Sequence, residues 1–180
     1  MPLAYVEHYT VDDYDLWEGD WELIEGMPYA MAPSPMVTHQ SINMKIARQL
    51  DERLDECEEC QALFEIDWYV SSDTVVRPDT LVICYEPDEK LTKKPEVIFE
   101  VTSPSTVAKD EKVKFEIYER EGVRYYILVY PDDKVAKVYE LKDGAYIKMG
   151  DFSEEKTVFD LPSCQLEFDF SRIWRVKKQN

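Results

Sequence analysis

Apolar residues along this chain change period several times, and each change marks an element. In DWELIEGMPYAMAP, two short alternating stretches flank Glu25-Gly26, a dipeptide suited to the positive φ of a tight turn, which predicts a hairpin. SPMVTHQSINMKIARQLDERLDE then shifts to helical spacing. Ile42, Ile46, Leu50 and Leu54 share one face, Ser34 is suited to cap the helix, and Pro35 suits its first turn. ALFEIDWYVSSDTVVRPDTLVICY reads as two strands separated by SSD, and PEVIFEVTS as another. VAKDEKVKFEIYEREGV predicts a second helix that stops at Gly122, and RYYILVYP, KVAKVYEL and AYIKMGDF predict closing strands joined by turns at PDDK and KDG. This order implies an α/β fold: a central mixed sheet flanked by two main helices, with an N-terminal β-hairpin.

The chain has 180 residues, 44% hydrophobic and 13% aromatic, enough for a sizeable core and for a single domain over 1–180, without repeats or a linker. No apolar stretch is long enough to cross a bilayer, and MPLAYVEHYTVDDYD lacks the basic start and apolar core of a secretion signal, so a cytoplasmic protein is expected. Cys57 and Cys60 form a C-x-x-C, but Cys84 and Cys164 provide no second closely spaced pair, and Cys84 lies in an apolar strand. Ordinary reduced cysteines are therefore expected rather than a zinc site.

Charge changes the picture in two ways. A net charge of −17 opposes nucleic acid at long range. It is nevertheless uneven: the first thirty residues hold eight acids and no Lys or Arg, whereas Lys90 to Arg124 is nearly balanced. Lys90, Lys93, Lys94, Lys109 and Lys112 cluster there and offer either a local phosphate-binding patch or an ordinary solvated surface.

Two acids sit where apolar residues are expected. Alternation puts Asp79, Leu81, Ile83 and Tyr85 on one side of their strand and Ile98, Glu100 and Thr102 on one side of theirs. On neighbouring strands, the carboxylates of Asp79 and Glu100 converge. Such a pair is costly unless compensated, and a divalent cation with hard oxygen ligands, Mg2+ or Mn2+, compensates it. Lys114, spaced four residues from both Asp110 and Tyr118, leans inward on a partly apolar helical face. Lys112 shares its face with Glu116 and Glu119 and is expected in solvent. The structural alternatives are a lysine stem that covers core, a strand-start aspartate that bonds backbone amides, a core-edge His39 and an exposed Glu22.

WELIEG, SPMVTHQ, VVRPDTLVIC, VIFEVTSPST, KDEKVKFEIYEREGV, RYYILVYP and the closing FDLPSCQLEFDFSRIW, in this order and spacing, resemble the Uma-two family of restriction-endonuclease-like proteins. The resemblance covers nearly the whole chain. It implies the restriction-endonuclease-like core and a variant of the P-D...(D/E)-x-K metal site. Asp79 then matches the motif aspartate and Glu100 the acid on the next strand. Thr102 stands where the motif lysine belongs, and Lys114 aligns with a lysine that has migrated to the following helix. Glu22 and His39 match recurrent family positions. Asp79 and Glu100, with the Val101 backbone carbonyl, are the implied Mg2+ ligands.

These features predict a metal-dependent endonuclease acting on nucleic acid, DNA favoured, with Asp79, Glu100, Lys114, Glu22 and His39 as its catalytic candidates. The resemblance also implies a homodimer. The charge and Thr102 motivate a second reading, a nuclease-fold domain that only binds protein or nucleic acid. A glycosidase using the same acids lacks a sugar-stacking platform. There is no Gly-rich phosphate loop, G-x-S-x-G or H-E-x-x-H, which argues against nucleotide-hydrolase, serine-hydrolase and zinc-protease chemistry.

Overall fold

A six-stranded mixed sheet runs through the middle of the computed structural model, which describes residues 5–32 and 36–174. After a short helix α1 (Val11–Tyr14) come β1 (Trp21–Ile24), β2 (Met27–Ala30), α2 (Val37–Leu54), β3 (Gln61–Phe64), β4 (Trp68–Ser71), β5 (Thr74–Val76), β6 (Thr80–Ile83) and β7 (Val97–Val101). A helical crossover follows, π-helical over Lys109–Lys114 and α-helical as α3 (Phe115–Glu121). The remaining strands are β8 (Tyr125–Tyr130), β9 (Val135–Lys142), β10 (Ala145–Phe152), β11 (Lys156–Asp160) and β12 (Gln165–Asp169).

The large sheet has the order β10-β9-β8-β7-β6-β3. Only β7 and β8 pair in parallel, and the helical crossover joins them, as a parallel pair requires. Both strands are covered on both faces, which is why they read as continuous apolar runs. Val97, Phe99 and Val101 face α2, whose Ile42, Ile46, Leu50 and Leu54 form the expected apolar stripe. Ile98, with Leu81 and Ile83 of β6, faces Ile117 and Tyr118 of α3. Ser34 and Pro35, expected to start α2, lie outside the described residues.

The expected N-terminal hairpin forms, with Glu25 (φ 50°) and Gly26 (φ 80°) making its turn. It belongs to a second, four-stranded sheet, β2-β1-β5-β4. The expected pair of strands over 62–85 is broken further than the apolar pattern indicated. Glu65 takes a left-handed φ of 51°, and Pro78 cannot donate to a ladder, so each run divides in two. The outer pieces, β3 and β6, enter the large sheet, and β4 and β5 enter the small one. Gly122 ends α3 with φ 82°, as expected.

The hairpin β11–β12, which alternation did not reveal, closes the α2 face. Phe159 and Phe168 reach inward to Phe99, and the Gln49 amide exchanges hydrogen bonds with the Asp169 backbone (2.6 and 3.1 Å). The cysteines also depart from expectation. None is a free thiol: Cys57 pairs with Cys164 and Cys60 with Cys84, partners 107 and 24 residues apart that no local spacing could bring together.

Phe168 is fully buried, and its ring lies 5.0 Å from Phe99 and 4.9 Å from Phe170. Phe168→Ala should lower unfolding free energy by about 3–5 kcal/mol, as measured by urea denaturation, because it empties the contact that holds the closing hairpin to the sheet.

Candidate active site

Asp79 enters the site from the residue just before β6. β6 and β7 are antiparallel with Thr80 opposite Phe99, so Asp79 and Glu100 extend that pairing by one step on the face shared by Leu81 and Ile98. The Asp79 Oδ2 accepts the Val101 N–H (2.7 Å) and also meets His39 Nε2 (3.4 Å). On the next residue, Thr80 donates its hydroxyl to Asn43 Oδ1 of α2 (2.7 Å), a buried bond that fixes this corner.

Glu100 is almost completely buried. Its Oε1 accepts both the Tyr118 hydroxyl (2.9 Å) and Lys114 Nζ (3.1 Å). Lys114 Nζ lies equally close to Glu22 Oε2 (3.0 Å), and Lys109 Nζ binds Glu22 Oε1 (2.8 Å). The Arg77 N–H also donates to Glu22 Oε2 (2.9 Å), so both oxygens of Glu22 are engaged. Asp79 Oδ1 and Glu100 Oε2, by contrast, have no hydrogen bond or ion pair among the described residues.

The π-helical stretch explains why two lysines reach one carboxylate. With hydrogen bonds from i to i+5, Lys109 and Lys114 stand one above the other instead of diverging as on an α-helix. Tyr126 donates its hydroxyl to the Asp110 carbonyl (2.8 Å), giving a backbone acceptor in this stretch a buried partner. Tyr118, one turn beyond Lys114, stacks on Trp68 with ring centroids 6.0 Å apart.

Acids outnumber bases in this pocket, and the protonation equilibria reflect it. Burial pushes the Glu100 carboxyl well above its ordinary range; Lys114 opposes this, while Asp79, Asp110 and Glu22 add to it. Burial likewise pushes Asp110 up to about 6, with Asp79 and Glu22 contributing. For Glu22, burial is outweighed by Lys114, Lys109 and the Arg77 amide, which hold the carboxyl below its usual value. Burial opposes the Lys114 charge too, but Glu100, Glu22, Asp110 and Asp79 keep it protonated well past the ordinary range. Burial would lower His39, and its bond to Asp79 raises it instead.

The donor set fits a hard divalent ion. Asp79 and Glu100 present open carboxylate oxygens from adjacent strand positions, and Val101 adds backbone beside them. Among the described residues, no three His, Asp or Glu ligand atoms lie within 4.8 Å of one another. Two protein carboxylates with water completing the shell is the pattern Mg2+ favours.

The five predicted side chains fall into two contact sets, His39 with Asp79 and Glu22 with Lys114 and Glu100. These meet where Asp79 accepts the Val101 N–H beside Glu100 and where the Asp79 charge acts on Glu100 and Lys114. Three features were not anticipated. Lys109, read as a surface lysine, turns inward to Glu22. Asp110 and Tyr118 join the pocket, and the spacing 110, 114, 118 carried that signal. Lys112 is exposed as expected but forms no ion pair with Glu116 or Glu119 among the described residues; Glu119 accepts the Tyr146 N–H instead (2.7 Å). Of the lysine cluster that offered either a phosphate patch or a solvated surface, Lys90 pairs with Asp15 (2.6 Å) and Lys94 with Glu96 (3.6 Å), as on a surface of mixed charge.

A family model described as "Putative restriction endonuclease" matches residues 11–171, nearly the whole chain and every residue of this pocket. The chain belongs to the Uma2 family. The Uma2 chain also resembles a crystal structure from Anabaena variabilis, named as that of "a putative nuclease belonging to DUF820". The two share a TM-score of 0.75 and 18% identity, over 92% of this chain and 97% of that one, a likeness of fold. No curated protein matches.

Asp110 offers a pH test of the pocket. Its carboxyl titrates at about 6 in the fold against an ordinary 3.8, so its neutral form favours folding. That contribution is complete below about pH 3.8 and is lost as pH rises through 6. Asp110→Asn, which cannot ionise, should therefore exceed wild type in stability at pH 8 by on the order of 1–3 kcal/mol. Urea denaturation should show that gap closing as pH falls toward 4.

Proposed function

We propose that this Uma2 chain is an Mg2+-dependent endonuclease that hydrolyses phosphodiester bonds, with DNA the favoured substrate. The observation that carries this reading is the Asp79–Glu100 pair, one carboxylate oxygen of each without a partner among the described residues, backed by a buried lysine, in a chain whose family is described as "Putative restriction endonuclease".

Asp79 and Glu100, with the Val101 backbone carbonyl, would hold the cation. When bound, Mg2+ supplies an acidified water and polarisation of the phosphate. The protein's own groups do the rest. Lys114 fixes the Glu100 carboxylate through Oε1, leaving Oε2 to the cation, and its charge offsets negative charge accumulating on phosphate in the transition state. Tyr118 holds the same oxygen from the other side. Glu22 acts as a positioning residue, since its two oxygens secure Lys109 and Lys114. His39 orients Asp79 by sharing its Oδ2. Ionised Asp79 and Glu100 are the ligating forms, so nuclease activity should rise with pH as Glu100 gives up its proton.

The test is Mg2+-dependent cleavage of plasmid and single-stranded DNA, with RNA alongside. Asp79→Asn and Glu100→Gln keep side-chain shape and should each lower cleavage at least ~100-fold, whereas circular dichroism stays that of wild type. Cleavage by both variants at the wild-type rate would overturn the assignment.

One observation favours a second reading. Lys114, the migrated lysine, is already engaged by two carboxylates, and Thr102 occupies the usual lysine position. A nuclease-fold domain that binds without cutting fits those facts, and calorimetric titration with Mg2+ separates the two. A saturable site lost in Glu100→Gln supports the enzyme. We further propose that the chain works as one domain, as a homodimer and in the cytoplasm; no helix among the described residues is long and apolar enough to cross a membrane.

A further inference from the structure

The four cysteines occupy one place, and two separate cross-links would not require that. Cys57 and Cys60 bracket a tight turn after α2, closed by the Cys60 N–H on the Cys57 carbonyl (3.1 Å). Cys84 directly follows β6, and Cys164 directly precedes β12. The sulfurs of Cys57, Cys60 and Cys164 lie within 4.8 Å of one another, and that of Cys84 is bonded to Cys60. Three remote segments thus deliver four sulfurs to a single centre just beyond the C-terminal end of α2.

The surroundings are those of a ligand shell. Ser163 places its hydroxyl 3.6 Å from the Cys57 sulfur and 3.9 Å from that of Cys60, able to donate to either sulfur when it carries charge. Glu58, Glu59 and Glu86 line a surface recess beside Cys60 and Cys84, an acidic approach for a cation. Asp79 and Cys84 mark opposite ends of β6, roughly 17 Å apart along an extended strand, so this centre is separate from the carboxylate pocket.

We infer that the reduced protein binds one Zn2+ through Cys57, Cys60, Cys84 and Cys164, as a closed structural site, and that the two disulfides are its oxidised counterpart. Four thiolates in tetrahedral array, two of them from a C-x-x-C turn, are the donor set of structural zinc and leave no position open for catalysis. A single close pair in the sequence argued against zinc only because the other two ligands arrive from distant segments. In a reducing compartment the thiol form is the expected one.

The two states interconvert with balanced chemistry. A dithiol reductant attacks one sulfur of a disulfide, and its second thiol then displaces the mixed disulfide, so it leaves oxidised with two protein thiols formed. Two such reductants yield four thiols. Zn2+ then takes the four sulfurs and displaces four protons. An oxidant of the disulfide class reverses the exchange and releases the ion.

The experiment uses the full chain, reduced with a phosphine and loaded with Zn2+ or Co2+, then desalted. Elemental analysis should find about one metal ion more per reduced chain than per oxidised chain. The Co2+ form should show thiolate-to-cobalt charge transfer and the intense visible bands of a tetrahedral site. Both should persist in the Asp79→Asn/Glu100→Gln double variant, which lacks the carboxylate pair. Cys84→Ser and Cys164→Ser should each weaken Zn2+ binding at least ~10-fold. A reduced wild type that keeps its circular-dichroism spectrum yet shows no cobalt–thiolate absorption would overturn the inference. So would equal metal uptake by the oxidised chain, wild-type affinity in both serine variants, or a fold lost on reduction that zinc does not restore.

Discussion

The Lys114 ammonium is held between Glu22 at 3.0 Å and Glu100 at 3.1 Å, with all three side chains almost entirely removed from water. Burying charges costs several kcal/mol per ion, and the arrangement is stable only because each partner is satisfied by more than one contact. The three residues come from three layers. Glu22 belongs to the small sheet, Glu100 to the large sheet and Lys114 to the helical crossover. One ion triad therefore ties the three layers together, alongside Lys109–Glu22, Tyr118–Glu100 and Tyr126–Asp110, and it does so beside the Asp79–Glu100 pair. The cost of that burial also explains the local backbone. A regular α-helix would carry Lys109 and Lys114 to different faces, whereas the π-helical stretch brings both onto Glu22 and uses Tyr126 to satisfy the Asp110 carbonyl.

Much of this was legible in the sequence, and the limits have physical causes. Alternation placed Asp79 with Leu81 and Glu100 with Ile98, and the observed register of β6 against β7 sets them side by side because an antiparallel ladder keeps opposing residues on one face. Helical spacing separated Lys114 from Lys112 because burial of Ile117 and Tyr118 fixes which face turns inward. Periodicity could not reveal Lys109, whose inward turn depends on i to i+5 bonding that leaves no mark in an apolar pattern. Nor could it reveal the strand breaks at Glu65 and Pro78, where backbone conformation rather than hydrophobicity decides which sheet a segment joins. The cysteine cluster escaped for another reason: its members meet only after the sheet, α2 and the last hairpin have packed.

Net charge was the weakest guide to function. A value of −17 describes the whole chain, yet at physiological salt a charge is felt over about 8 Å, and most acids lie on other surfaces. Within the pocket, Glu22, Glu100, Asp110 and Asp79 face the two ammonium groups of Lys109 and Lys114. Burial, with the neighbouring acids, holds Glu100 and Asp110 toward their neutral forms, which relieves part of the excess. A dication on the Asp79–Glu100 face would balance the four carboxylates against the two lysines and let both acids ionise.

That balance bears on how a polyanion could approach. Lys90, Lys94 and Lys109 are committed to Asp15, Glu96 and Glu22, whereas Lys93 and Lys112 form no ion pair among the described residues, so only part of the lysine cluster offers free positive charge. On the proposed reading, attraction for a phosphate depends on cation occupancy more than on a basic groove. The buried triad then has two coupled tasks: it keeps Glu100 in place without a cation, and it keeps Lys114 within reach when phosphate and cation arrive together. On that reading, the metal-free pocket, with Glu100 and Asp110 held toward their neutral forms, has no surplus positive charge to hold phosphate, and a bound dication would supply it. On the proposed reading, the acidic excess that looked like an argument against phosphate chemistry becomes a reason for the cation to bind with or before the substrate.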